Sequence, residues 1–211
     1  MLSLPESLLL FSLHDERGTV HSAAFLGLDE ALYAAVLGEL MLRGTVRIRS
    51  DGALKVPPDA PDSESLIEQL AYKALSEASP DTVDAALEAL RSGLGSLRSR
   101  LLTAVAAKGI VRSAEIDREN LEDSQVHPTA DAGPEAQMVA HVREGIAAGP
   151  AVSRRIGLLI GLVHALNLWD KLLPKEERAA ARSVGAWVHE RDAVCKAAAV
   201  SIAKADGSWE G

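Results

Sequence analysis

Ile156-Gly157-Leu158-Leu159-Ile160-Gly161-Leu162-Val163-His164-Ala165-Leu166-Asn167-Leu168-Trp169 is the longest uncharged apolar run in the chain. Coiled as an α-helix, these 14 residues span about 21 Å, short of the ~30 Å hydrocarbon layer of a membrane. A helix that is apolar on every side belongs inside a core. The segment 153–173, opened by Ser153 and stopped by Pro174, therefore reads as the central, most buried helix of a globular protein. His164 lies within it. A buried imidazole stays neutral and takes a hydrogen-bond partner, here expected to be a backbone carbonyl, so His164 reads as structural.

Outward from this run the pattern stays helical. Toward the C-terminus, residues 175–203 read as one long helix with a face of Ala180, Val184, Trp187, Val194 and Ala198. Cys195 sits on its apolar flank as a small buried hydrophobe. Toward the N-terminus, Gly133-Pro134 opens a helix that Gly149-Pro150 ends. Helices are expected at about 63–77, 80–91 and 94–108, with Lys108-Gly109 closing the third. Leu28, Leu32, Ala35 and Leu42 share one face of a helix over 28–43. In Ser3-Leu4-Pro5-Glu6, Ser3 caps, Pro5 sits in the first turn and Glu6 completes a capping box. Thr45-Val46-Arg47-Ile48-Arg49 alternates and turns back through Ser50-Asp51-Gly52, a short hairpin. Residues 110–126 are mixed and charged, and a second hairpin or a disordered loop is expected there. The fold class is all-α with one or two small β-hairpins, as 35 alanines against seven aromatics favour. Residues 1–205 are expected to form a single domain, with 206–211 a frayed polar tail.

Composition narrows the function. The chain has 211 residues, one cysteine and a net charge of −8. One cysteine excludes a disulfide framework and a cysteine-based zinc site. The acidic balance repels nucleic acid and anionic membrane, so any anion must be held by a local basic patch. The opening residues carry no basic start and no small-residue cleavage site, unlike a signal peptide. The cytoplasm is the expected location, with the inner membrane face as the place of any peripheral attachment.

No catalytic constellation emerges. The six histidines form no HExxH and no i,i+4 pair, and no GxSxG elbow occurs. No metal ligands, catalytic residues or cofactor are expected, and the chain reads as a non-enzyme. Glu39 interrupts an apolar face four residues before Arg43, the favourable order for a structural ion pair. The local anomaly is basic: residues 88–112 hold five basic side chains and one acidic one. Arg91 and Arg98 are seven apart and share a face, with Gly95 between, if the helix runs on. Arg100 points elsewhere. Two guanidiniums beside a glycine suit a phosphate.

Several blocks then recur together. Leu2-Ser3-Leu4-Pro5-Glu6-Ser7-Leu8-Leu9-Leu10, Leu37-Gly38-Glu39-Leu40-Met41-Leu42-Arg43-Gly44, Leu97-Arg98-Ser99-Arg100-Leu101 and the 158–173 segment resemble, in order, the Golgi phosphoprotein 3 family. The resemblance implies a mostly helical fold and a non-enzymatic, peripheral membrane adaptor that binds phosphatidylinositol 4-phosphate. The implied lipid pocket uses a tryptophan, an arginine and two basic residues three apart, beside a hydrophobic hairpin. On this chain those positions fall on Ala24 with Phe25 adjacent, on Tyr33, on Gly95 and on Arg98, and the hairpin falls on the acidic segment 113–126. The Ala and Arg bias points to a bacterial member. The candidate lipid or phosphate residues are thus Arg98, Arg91, Arg100, Phe25 and Tyr33, in an eroded pocket. The expected partners are an anionic lipid headgroup or phosphate and a protein, with oligomers allowed and no nucleic acid. The alternative is a soluble helical protein-interaction scaffold that does not bind phosphatidylinositol 4-phosphate.

Overall fold

The computed structural model describes residues 2–49, 52–58, 63–112, 114–115 and 125–207. The chain is mainly helical. In order run α1 (Leu4–Ser12), α2 (Leu28–Leu42), the strands β1 (Arg47–Ile48) and β2 (Leu54–Lys55), then α3 (Leu66–Ala78), α4 (Val83–Leu94) and α5 (Leu97–Ala107). Next come β3 (Ala114–Glu115), β4 (Gln125–Val126), α6 (Gly133–Ala148), α7 (Arg154–Ala165), α8 (Trp169–Leu172), α9 (Arg178–His189) and α10 (Ala193–Gly207). β1 pairs antiparallel with β2, and β3 with β4, as two separate hairpins. Residues 50–51 of the expected turn, residues 59–62, most of the acidic segment 113–126 and the end of the tail, 208–211, lie outside the described residues.

The buried side chains form one contiguous cluster from Leu2 to Ile202. α2 is its axis and packs against α1, α3, α4, α5, α7 and α10. The expectation that 156–169 forms the most buried helix is corrected here. Every residue of α1 is buried, against seven in the middle of α7. α1 is sealed because it lies among α2, α5, α6 and α7. The 156–169 run is also not one helix. Asn167 takes a left-handed conformation (φ 50°) and separates α7 from α8.

The single C-terminal helix expected over 175–203 is likewise two. The break falls on Glu190-Arg191-Asp192, where the Asp192 carboxylate accepts from Val194 N and Cys195 N and caps a new helix. α7 then meets both pieces closely. A Cβ on Gly161 would lie 2.5 Å from Cys195 Sγ, and one on Gly185 would lie 2.7 Å from His164 Cβ. Only glycine permits those approaches.

One charged group is enclosed at the head of the bundle. Glu39 of α2 is 3% exposed. Its Oε2 accepts from Leu4 N at 2.8 Å, an otherwise unpaired amide in the first turn of α1. Arg155 grips both oxygens, Nη1 to Oε1 at 3.1 Å and Nη2 to Oε2 at 3.0 Å, and also donates to Leu2 O. The expected Arg43 pair is present at 3.5 Å, and Arg43 reaches on to Glu68. The capping box at Ser3 and Glu6 forms as read, and Lys108 of α5 bonds the same Glu6.

Removing a partner from a buried ion network destabilises strongly, discounted here because Arg155 and Arg43 keep water contact. Glu39→Ala is expected to lower stability by about 3 kcal/mol in urea unfolding. Leu159→Ala, a fully buried site on α7, should lose about 2–5 kcal/mol. A loss below ~0.5 kcal/mol at Glu39 would remove it as the bundle's anchor.

Candidate functional site: a cleft between α2 and α5

α4 and α5 do not run on as one helix. Gly95 closes α4 at φ 58°, ψ −132°, a conformation open to glycine and strained for other residues. Arg91 and Arg98 therefore do not share a continuous helical face. The corner between the two helices is instead pinned to the first turns of α2. Arg98 Nε donates to Asp29 Oδ1 at 3.0 Å, and its Nη2 lies 3.0 Å from Oδ2, a two-pronged pair. Arg91 forks onto Glu30 in the same way and also pairs with Glu88. Tyr33 Oη donates to Gly95 O at 2.9 Å. Residues 29, 30 and 33 of one helix thus hold both arginines and the glycine between them. Asp29 and Glu30 also sit where the positive end of the α2 dipole favours carboxylates.

Beside this clamp lies an open cleft of about 1370 Å3. Its lining includes Phe25, Asp29, Tyr33, Gly95, Ser96, Arg98, Ser99 and Thr103, together with Leu13, Gly18, Thr19, Val20 and His127. The structure thus brings together three of the sequence candidates, Phe25, Tyr33 and Arg98, and leaves out Arg91 and Arg100. Phe25 is 61% exposed and Leu26 beside it 43%. Tyr33 is buried, and burial together with Asp29 and Glu30 raises its phenol, which stays a neutral donor. Arg91 is held charged chiefly by its bond to Glu30.

Arg100 lies across the ridge of α5, where Nε donates to Leu94 O and the side chain borders a second cleft of about 910 Å3. That cleft also carries Glu6, Glu39, Arg43, Glu68 and Lys108, joined in ion pairs. Burial pushes Glu6 upward, but Lys108 and the Ser3 amide outweigh it and hold the carboxyl below its ordinary value.

Asp29, Glu30 and His127 are the residues that sequence reading missed. Two acids in a first helical turn read as ordinary dipole partners, and no spacing announces bonds 61 and 69 residues away. His127 is brought to the cleft by the turn at Gly18 (φ 62°), where a Cβ would collide with the His127 backbone at 2.2 Å. The imidazole is 9% exposed, and its Nδ1 has no hydrogen-bond partner among the described residues. Burial lowers its pKa. His14 and His21 stack nearby with ring centroids 4.8 Å apart. His21 is lowered by burial, His14 and Lys171, against Asp170. His164 is half-buried and accepts from Trp169 Nε1 at 3.3 Å, so its partner is an indole and not the expected carbonyl. Burial, His189 and Arg182 lower it.

Among the described residues no three His, Cys, Asp or Glu side chains converge to hold a metal ion. No single helix among them is long and apolar enough to cross a membrane, although α6 with its 3-10 extension and α7, bent by 105°, pass that test as a pair. The family model described as Golgi phosphoprotein 3 matches residues 4–204 of the chain. No curated protein gives a match.

Three histidines with lowered folded values give a sign to the pH dependence. Each binds its proton more readily in the unfolded chain, so its contribution is complete above pH ~6.5 and is lost as pH falls through the folded values. Glu135, raised by burial and Asp15 against Lys171, acts oppositely and favours the fold as acid increases. Urea unfolding from neutral pH down to about 5 should show a net loss of stability below ~6.5. A flat or rising profile would contradict the histidine assignment.

Proposed function

The chain belongs to the Golgi phosphoprotein 3 family, and on that premise we propose a non-enzymatic adaptor that holds a phosphate-bearing ligand, lipid headgroups included, in the cleft beside Arg98. The observation that carries this reading is that Arg98 and the exposed Phe25 line the same cleft. A guanidinium supplies a fork for phosphate oxygens, and an aromatic at the lip supplies apolar contact for acyl chains. The reading takes the chain as a single domain, cytoplasmic, attaching peripherally at the inner face of a membrane through this cleft.

Polyanions are weakly held in this proposal. Asp29 already occupies the Arg98 fork, Glu30 and Glu88 occupy Arg91, and the net charge of −8 opposes anionic surfaces. At the positions where the family resemblance implies further basic groups, Tyr33 and Gly95 bond each other. The same bonds favour the second reading, a soluble helical protein-interaction scaffold that uses the cleft and its exposed Phe25 without binding phosphatidylinositol 4-phosphate.

Asp29 is the adjustable element. At physiological salt, vesicles containing phosphatidylinositol 4-phosphate should leave most of the unaltered protein in the supernatant after sedimentation. Asp29→Asn should move it toward the pellet by about tenfold in affinity, the value of one freed charge-assisted hydrogen bond. Arg98→Ala added to that change should return it to the supernatant. Tight binding that survives Arg98→Ala would put the ligand elsewhere and overturn the proposal.

A further inference from the structure

We infer that the cleft selects a zwitterion, a phosphodiester joined through a short linker to a primary ammonium, as in a glycerophosphoethanolamine. The inference rests on the reading of the cleft as a ligand site and names the chemistry it takes.

Among the described residues, the lining carries one carboxylate and one guanidinium, Asp29 and Arg98. Its other titratable members are the Tyr33 phenol, kept neutral by burial and nearby carboxylates, and the His127 imidazole, kept neutral by burial. The cleft is thus dipolar with no net charge. A polyanion meets Arg98 and Asp29 together, and the carboxylate cancels much of what the guanidinium offers. A zwitterion laid antiparallel to the pair meets opposite charge at both ends. Its phosphate faces Arg98 and its ammonium faces Asp29, so one exposed ion pair is exchanged for two and no charge is left unpaired.

Exposure allows that exchange. The Asp29 side chain is 54% exposed and that of Arg98 30%, so both are reached from the cleft without opening the core. Solvent-facing pairs of this kind hold together weakly. The Ser96 and Ser99 hydroxyls line the same cleft and suit the remaining phosphate oxygens. A primary ammonium is favoured over a quaternary one because only the former donates hydrogen bonds to the Asp29 carboxylate.

The full chain is titrated calorimetrically with free glycerophosphoethanolamine, glycerophosphocholine and inorganic phosphate. It is also sedimented with phosphatidylcholine vesicles containing either phosphatidylethanolamine or phosphatidylglycerol. Glycerophosphoethanolamine should bind best. Asp29→Asn should weaken it by about tenfold while strengthening inorganic phosphate and phosphatidylglycerol, and Arg98→Ala should abolish all of them. Arg98→Lys, which keeps the charge and loses the fork, should fall between, and guards against a folding defect in the alanine variant. Vesicle binding that needs Phe25 marks a lipid source; free glycerophosphoethanolamine bound as well as the vesicles marks a soluble one. If the unaltered chain prefers phosphatidylglycerol and loses it on Arg98→Ala, the zwitterion is wrong and the anion cleft stands. If Arg98→Ala changes no binding, both fail.

Discussion

A carboxylate with almost no access to water holds the bundle in register. Glu39 accepts from the Leu4 amide at the start of α1 and from both terminal nitrogens of Arg155 on α7, while its own helix, α2, forms the axis of the core. An enclosed carboxylate left without these donors is unfavourable by several kcal/mol, so three elements must arrive together around it. That requirement fixes how α1 enters. With its N-terminus locked on Glu39 and its capping box tied to Lys108, the whole of α1 lies inside and carries Phe11, Leu8 and Leu9 into the core. The Leu13–Val20 bridge then sets the turn that lines part of the cleft.

Local features of this design are legible in the residues. The Ser3–Glu6 capping box and the Glu39–Arg43 pair join partners three and four positions apart, and helical geometry alone brings them together. What is not legible is distant. Arg155 lies 116 residues from Glu39, and nothing near either announces the other. Breaks inside continuous apolar periodicity are equally hidden. Val194 and Ala198 continue the face of Val184 and Trp187 well enough to suggest one helix, yet the three consecutive charged residues at 190–192 end α9 and Asp192 starts α10. The burial of α1 escapes because nine residues have too little length to show that all sides are covered.

The cleft follows the same division. Phe25, Tyr33 and Arg98 are found by their resemblance to a lipid pocket, and the fold gathers them. The chemistry there is set by Asp29 and Glu30, which look unremarkable at the start of a helix. Where the resemblance implies a cluster of positive charge, the described residues carry an ion pair and a phenol bonded to a glycine carbonyl. The scaffold is that of the family.

The contact between Gly161 and Cys195 has a dynamic consequence. The chain's one thiol is wholly buried against α7, and burial reinforced by Asp192 holds it protonated far above the ordinary cysteine range. A thiol in that state reacts with nothing in solution while the helices stay packed, since only an exposed thiolate attacks. Any modification of Cys195 must therefore await the lifting of α10 from α7. The chain carries an internal clock for that motion: the rate at which the thiol becomes reactive counts the openings of its last helix.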